Sequence, residues 1–145
     1  MGNSTVGDAA IAVVRRNTEE VQGKGDWAVF DELWSDEAVD HTPQPGAGDD
    51  KAGVKGLYQA IRESFPDFTP EIHFQIAADD MVTTFKTYHG THDGDFLGIA
   101  PTGKKVSFIT VDVMRVVDGK ITDHWGAATL LDLMQQLGAV PRFGG

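Results

Sequence analysis

Hydrophobic positions recur along this chain with two different spacings, and the change between them divides it into a helical first half and a stranded second half. From Asp8 to Val21, Ile11, Val14 and Val21 fall near helical spacing, with the STVGD stretch available to cap the start and Gly23 and Gly25 to end it. A second, shorter helix is predicted over Asp26 to Leu33, presenting Trp27, Phe30 and Leu33 or Trp34 on one side as core. After a brief apolar step at Val39, the HTPQPGAGDD run has the composition of a loop. Over Lys51 to Ser64, Val54, Leu57, Tyr58, Ile61 and Phe65 follow the helical repeat, and Pro66 stops it.

Beyond Pro66 the period shortens to two. In Glu71 to Ala77, Ile72, Phe74 and Ile76 alternate with Glu71, His73 and Gln75, which predicts a half-buried strand with the first set inward. Asp79 and Asp80 supply a turn, Met81 to Thr91 a return strand and Lys105 to Val117 a long strand apolar on both faces in places. Asp118-Gly119 is a hairpin signal, Lys120 to Ala127 the last strand, and Thr129 to Leu137 a terminal helix ended at Gly138. Helices followed by an antiparallel meander is the order of an α+β domain in which helices cover one face of a curved sheet around a cavity, and residues 1–145 read as one such domain.

Composition narrows the function. A formal charge of −10 with scattered basic residues excludes a nucleic-acid surface. The absence of cysteine removes disulfides, thiolate nucleophiles and thiolate metal sites. No apolar run reaches the roughly 20 residues of a membrane span and no signal-peptide pattern opens the chain, so no membrane partner and a cytoplasmic location are expected. The PTGK segment, Pro101 to Lys104, lacks the glycine spacing and following helix of a phosphate loop and reads as a hairpin connection. Chemistry is left to carboxylates, histidines and hydroxyls. The acid that stands out is Asp123, placed between Ile121 and Trp125 on the last strand, where a carboxylate is costly to bury without a partner or a task.

The run GTHDGDFLGIAPTGKKVSF, the DGKITDHW segment and the closing LMQQLG resemble the SnoaL-like polyketide cyclases, within the nuclear-transport-factor-like α+β barrel superfamily. The resemblance implies a cone-shaped barrel with a central pocket under its helices, a homo-oligomer (dimer or tetramer), no cofactor or metal, and a hydrophobic polyketide-type substrate closed by intramolecular aldol condensation. It also implies that Asp123 is the proton-transfer residue, with His41 and His92 lining the same pocket. Polar pocket positions of the characterised cyclases fall near Ser107 and Ile109, and Trp125 and Tyr58 complete the candidate pocket. Ile109 departs from the pattern, since its side chain neither donates nor accepts.

Proton abstraction from a carbon between carbonyls calls for a group of near-neutral pKa, so desolvation by Ile121 and Trp125 is expected to raise that of Asp123 from about 3.9 by two or three units. His41 and His92 would then donate to the developing alkoxide. Other readings stay open. Asp123 is equally placed to pair with Arg115 across the hairpin, His41 to cap its loop, and His92 to hold the GTHDGD turn. Strict alternation sends His124 to the face opposite Asp123. His41, His92 and Asp123 would form a two-histidine, one-carboxylate metal face if they converged. An Asp-Arg-Asp arrangement of the epoxide-hydrolase type is disfavoured because Asp112 and Arg115, three apart on one strand, point oppositely. The rival class is a non-catalytic binder of a hydrophobic small molecule, or a dimeric scaffold, on the same fold, with isomerase or dehydratase chemistry as close variants of the enzyme.

Overall fold

A computed structural model describes residues 2–142 of the chain. Helix α1 runs from Gly2 to Arg16, so the STVGD stretch lies inside the helix instead of capping it. It continues as a π-helical turn over Asn17–Gln22, whose wider winding brings Asn17, Thr18, Val21 and Gln22 all into the interior. Trp34 Nε1 donates to Asn17 Oδ1 at 2.8 Å, and Asn17 Nδ2 donates to the Tyr58 hydroxyl at 3.2 Å. Helix α2, Trp27–Leu33, is capped by Asp26, whose side chain accepts from Val29 N. Strand β1, Trp34–Asp40, was hidden in the sequence by its polar SDE centre, yet Trp34, Ala38 and Asp40 are buried along it. Helix α3, Lys51–Ser64, begins at the Asp50 cap.

Strands β2 (Thr69–Ala78), β3 (Met81–Thr91), β4 (Lys105–Val117) and β5 (Lys120–Ala128) form the antiparallel meander that the period-two pattern predicts, and helix α4 spans Leu130–Gln136. The sheet has five strands in the order β1-β5-β4-β3-β2, with β1 parallel to β5. The architecture is the expected curved α+β one, but the sheet does not close on itself. Phe30 and Trp34 stack with ring centroids 5.4 Å apart in the main core with Val14, Val82, Met114 and Ile121. A second cluster joins Phe65, Phe68, Tyr88, Phe108 and Leu133. Among the described residues, no helix is long and apolar enough to cross a membrane.

Two bulges decide which side chains face the helices. In β2, Ile72 pairs with Lys86 and Phe74 with Phe85, so His73 is the extra residue. Beyond it the parity inverts: Phe74 and Ile76, expected inward, are 50% and 61% exposed, while Gln75 turns in to bond the Thr84 hydroxyl. In β5, Val116 pairs with Ile121 but Arg115 pairs with Asp123, leaving Thr122 unopposed. A slip of one residue moves every later side chain to the other face.

Candidate active site

The Thr122 bulge puts His124 inward and Asp123 outward, the reverse of strict alternation. His124 stands opposite the buried Met114, whereas Asp123 stands opposite Arg115 and Trp125 opposite Val113 on the face away from the helices. On the inner face a cavity of about 120 Å³ lies between α3 and the sheet. Leu57, Ile61, Phe96 and Phe108 make apolar wall, and Asp40, Asp112 and His124, with Tyr58, make its polar end.

The polar end is a row of charges. His124 Nδ1 lies 2.9 Å from Asp40 Oδ1 and its Nε2 2.8 Å from Asp112 Oδ1. Burial alone would lower the imidazole pKa, but the two carboxylates raise it to about 9, so the ring is an imidazolium donating both N–H groups at neutral pH. Asp112 is buried against the ammonium of Lys86, which is itself fully buried. Burial opposes ionisation of Asp112, yet the Lys86 charge and the His124 bond hold it far below the usual carboxylate range. The Lys86 charge is kept by the same pairing and rests over the Tyr88 ring at 5.0 Å. Two carboxylates therefore face two cations, the arrangement that makes burial of four charged groups tolerable. Asp40 is also held below its ordinary value, burial being outweighed by His124 and by Thr42. Among the described residues the bonds to Asp40 from His124, Thr42 N and Thr42 Oγ1 all fall on Oδ1, so Oδ2 is the oxygen left for a ligand.

Gly126 completes this geometry. A β-carbon there would lie 2.8 Å from Asp112 Oδ1 and 3.0 Å from the His124 ring, so only glycine lets the β4 carboxylate reach the imidazole.

The residues singled out in the sequence are split between places. Tyr58 lines the cavity. Asp123 and His41 do pair, Nε2 to Oδ2 at 2.9 Å, but on the outer face, where His41 stacks on Trp125 at 4.5 Å and Arg115 lies over the same indole at 5.9 Å. The ion pair of Arg115 with Asp123 is present at 3.7 Å. The pKa of Asp123 moves opposite to the expectation: burial would raise it, but His41, Thr122 and Arg115 bring it below the ordinary value. Ser107 and Ile109 are exposed on the outer face, because the even-numbered residues of β4 face inward. His92 is fully buried elsewhere, against Phe65, with Nδ1 accepting from Thr102 N at 3.2 Å and its backbone N–H donating to Lys104 O. It ties down the 92–104 loop, and the proposed metal face of His41, His92 and Asp123 is not assembled. The loop still reaches the site through Phe96 and Leu97, and Leu97 is 64% exposed at a φ of 50°.

Asp40 and Asp112 were missed, and His124 was assigned to the wrong face. A lone acid between Val111 and Val113, and a lone Lys86 in the run TTFKTY, carry the same signal that drew attention to Asp123.

The comparisons agree with the architecture. The SnoaL-like polyketide cyclase family matches residues 12–137. The chain belongs to that family. Aklanonic acid methyl ester cyclase DauD of Streptomyces sp. (strain C5) is 28% identical over 136 residues, covering 88% of this chain and 81% of that protein. The match to nogalonic acid methyl ester cyclase of Streptomyces nogalater is 37% identical but spans only 39% of this chain and 42% of that protein. Among solved structures of the fold, IdmH of Streptomyces antibioticus, a candidate polyketide cyclase, has a TM-score of 0.79 at 30% identity, covering 89% of this chain and 98% of its own. AclR of Streptomyces galilaeus, a candidate hydroxylase, reaches 0.83 at 27% identity, covering 94% and 85%. The SnoaL-like fold thus carries more than one reaction name, and the residues of each cavity must decide between them.

Proposed function

We propose that this SnoaL-like chain is a cyclase that closes a ring in an aromatic polyketide-type ester by intramolecular aldol addition, working at the His124 end of the cavity. The observation that carries the reading is the imidazolium of His124 clamped between Asp40 and Asp112 at the polar end of an otherwise apolar hollow. Relatives named as methyl ester cyclases suggest the substrate class, a methyl ester; the aldol step itself calls for an acidic carbon between carbonyls.

In this scheme Asp40 Oδ2 takes the proton from the acidic carbon, and the C–H electron pair becomes an enolate. The enolate carbon attacks a ketone of the same molecule; one C–C bond forms and the ketone π-pair becomes an alkoxide. The proton held by Asp40 passes to that oxygen. Atoms and electrons balance without a redox partner or cofactor. The fixed charges of His124 and of the buried Lys86 favour the anion while it exists, because they are already oriented before it forms. Asp40 is a weak base at rest, so the anion-stabilising cations must supply much of the driving force.

The test is incubation of the purified protein with nogalonic or aklanonic acid methyl ester, following a product of unchanged mass and altered absorption. His124→Gln should lower the rate by about 10² to 10³, the loss expected when a fixed anion-stabilising group is removed. Binding of the ester without conversion would make the cavity a non-catalytic binding site, and no binding would end the reading.

A further inference from the structure

One buried cavity hydroxyl has no role in the proposed reaction and, among the described residues, no partner of its own. Thr110, on the inner face of β4, is buried to 6% exposure and lines the cavity, and its hydroxyl has no hydrogen-bond partner among the described residues. Its surroundings explain why. Its cross-strand neighbours are Ala128, which has no polar side chain, and Lys86, whose ammonium is already held by Asp112 and Gln22. The preceding inward residue is Phe108. A hydroxyl carries one donor and two acceptor sites, and nearly all buried polar atoms are satisfied. This one must take its partner from whatever fills the cavity: water at rest, a ligand atom in the complex. His124 and Asp112 differ, since His124 spends both ring nitrogens on carboxylates and Asp112 is committed to His124 and Lys86, while the Tyr58 hydroxyl already accepts from Asn17.

Resting on the cyclase reading, we infer that Thr110 is a catalytic residue whose hydroxyl donates a hydrogen bond to the substrate ketone oxygen that becomes the alkoxide. Same-face neighbours on a strand lie about 7 Å apart, so Thr110 stands one step from Asp112. A ketone oxygen bound at Thr110 therefore places its carbon between that hydroxyl and the Asp40–His124–Asp112 row, the span an aldol-forming unit must bridge. The hydroxyl moves no proton; it holds the oxygen while the charge develops, and the proton arrives from Asp40. A cavity of about 120 Å³ is close in size to the roughly 150 Å³ hollow that admits one benzene ring. The site thus grips the reacting end of the substrate.

The experiment uses methyl 3-oxo-3-phenylpropanoate, labelled with carbon-13 at the ketone, which carries the acidic carbon but has no second ketone to attack. Isotope-edited infrared spectra of the bound probe are compared for the wild-type chain, Thr110→Val and Thr110→Ser. The ketone band should lie at lower frequency in wild type and Thr110→Ser than in Thr110→Val. Because the hydroxyl has no partner among the described residues, Thr110→Val should melt at or above the wild-type temperature, and with a cyclising ester its kcat should fall about 10² to 10³-fold with KM little changed. Identical ketone bands, or a lowered melting temperature showing an internal bond, would overturn the role of Thr110 alone. Failure of the wild-type chain to bind the probe would overturn the keto-ester site itself, and the proposed function with it.

Discussion

The charge on His124 should make both stability and turnover fall as pH rises through the mildly alkaline range. Its pKa stands at about 9 in the folded chain against an ordinary 6.5. Below 6.5 the ring is protonated whether the chain is folded or not, and the contribution of the two carboxylate bonds is fully present. Between 6.5 and 9 only the folded chain keeps the proton, so each pH unit removes about 1.4 kcal/mol of stability, some 3 kcal/mol across the window. The side chain is 16% exposed, so solvent screening takes little from that figure. Against a total of about 5 to 15 kcal/mol for a domain, the loss is large enough to read by urea unfolding at about pH 6 and about pH 9.5. His124→Gln should lack the slope that His124 contributes over this interval. The imidazole carbon-bound protons give the same answer by NMR, and kcat should show a basic limb near 9 as the imidazolium is lost. A ring titrating near 6.5, or a stability difference between wild type and variant that stays flat over the window, would refute the clamp.

Gly126→Ala should push Asp112 from His124, cost about 1 to 3 kcal/mol by leaving buried charges imperfectly paired, and move the His124 titration downward; an unchanged titration would show that the β-carbon fits. Asp123→Asn, altering the outer face, should cost about 0.2 to 1 kcal/mol and leave turnover within about threefold; a hundredfold loss would return that residue to the mechanism. Leu97→Gly removes a side chain held in the left-handed region at about 1 kcal/mol of strain while withdrawing apolar surface from the mouth of the cavity, so KM should rise with the melting temperature nearly unchanged. An unaltered KM would take Leu97 out of substrate contact.

The strands of the meander and helix α3 were legible because their hydrophobic spacing agrees with their turn and cap residues. Strand β1 was not, since Ser35, Asp36 and Glu37 interrupt its apolar positions and its pairing partner lies far along the chain. Tyr58 was found because a helical face can be read from spacing alone. The facing of Asp123, His124, Phe74 and Ile76 was misread for one shared reason: alternation assumes an unbroken ladder, and neither the Thr122 nor the His73 bulge has a glycine or proline to announce it. Ser107 and Ile109 failed differently, because β4 carries apolar residues on both faces and its parity is fixed only by what packs above it.

The single unopposed residue at Thr122 means that this chain holds two complete polar sets on one strand: Asp123 with His41 and Arg115 outside, His124 with Asp40 and Asp112 inside. Removing Thr122 would restore an unbroken ladder without turning either set, because Asp123 would still stand opposite Arg115 and His124 opposite Met114. A lineage can therefore lose the extra residue by a one-codon deletion and still keep the histidine in the chamber and the aspartate outside it.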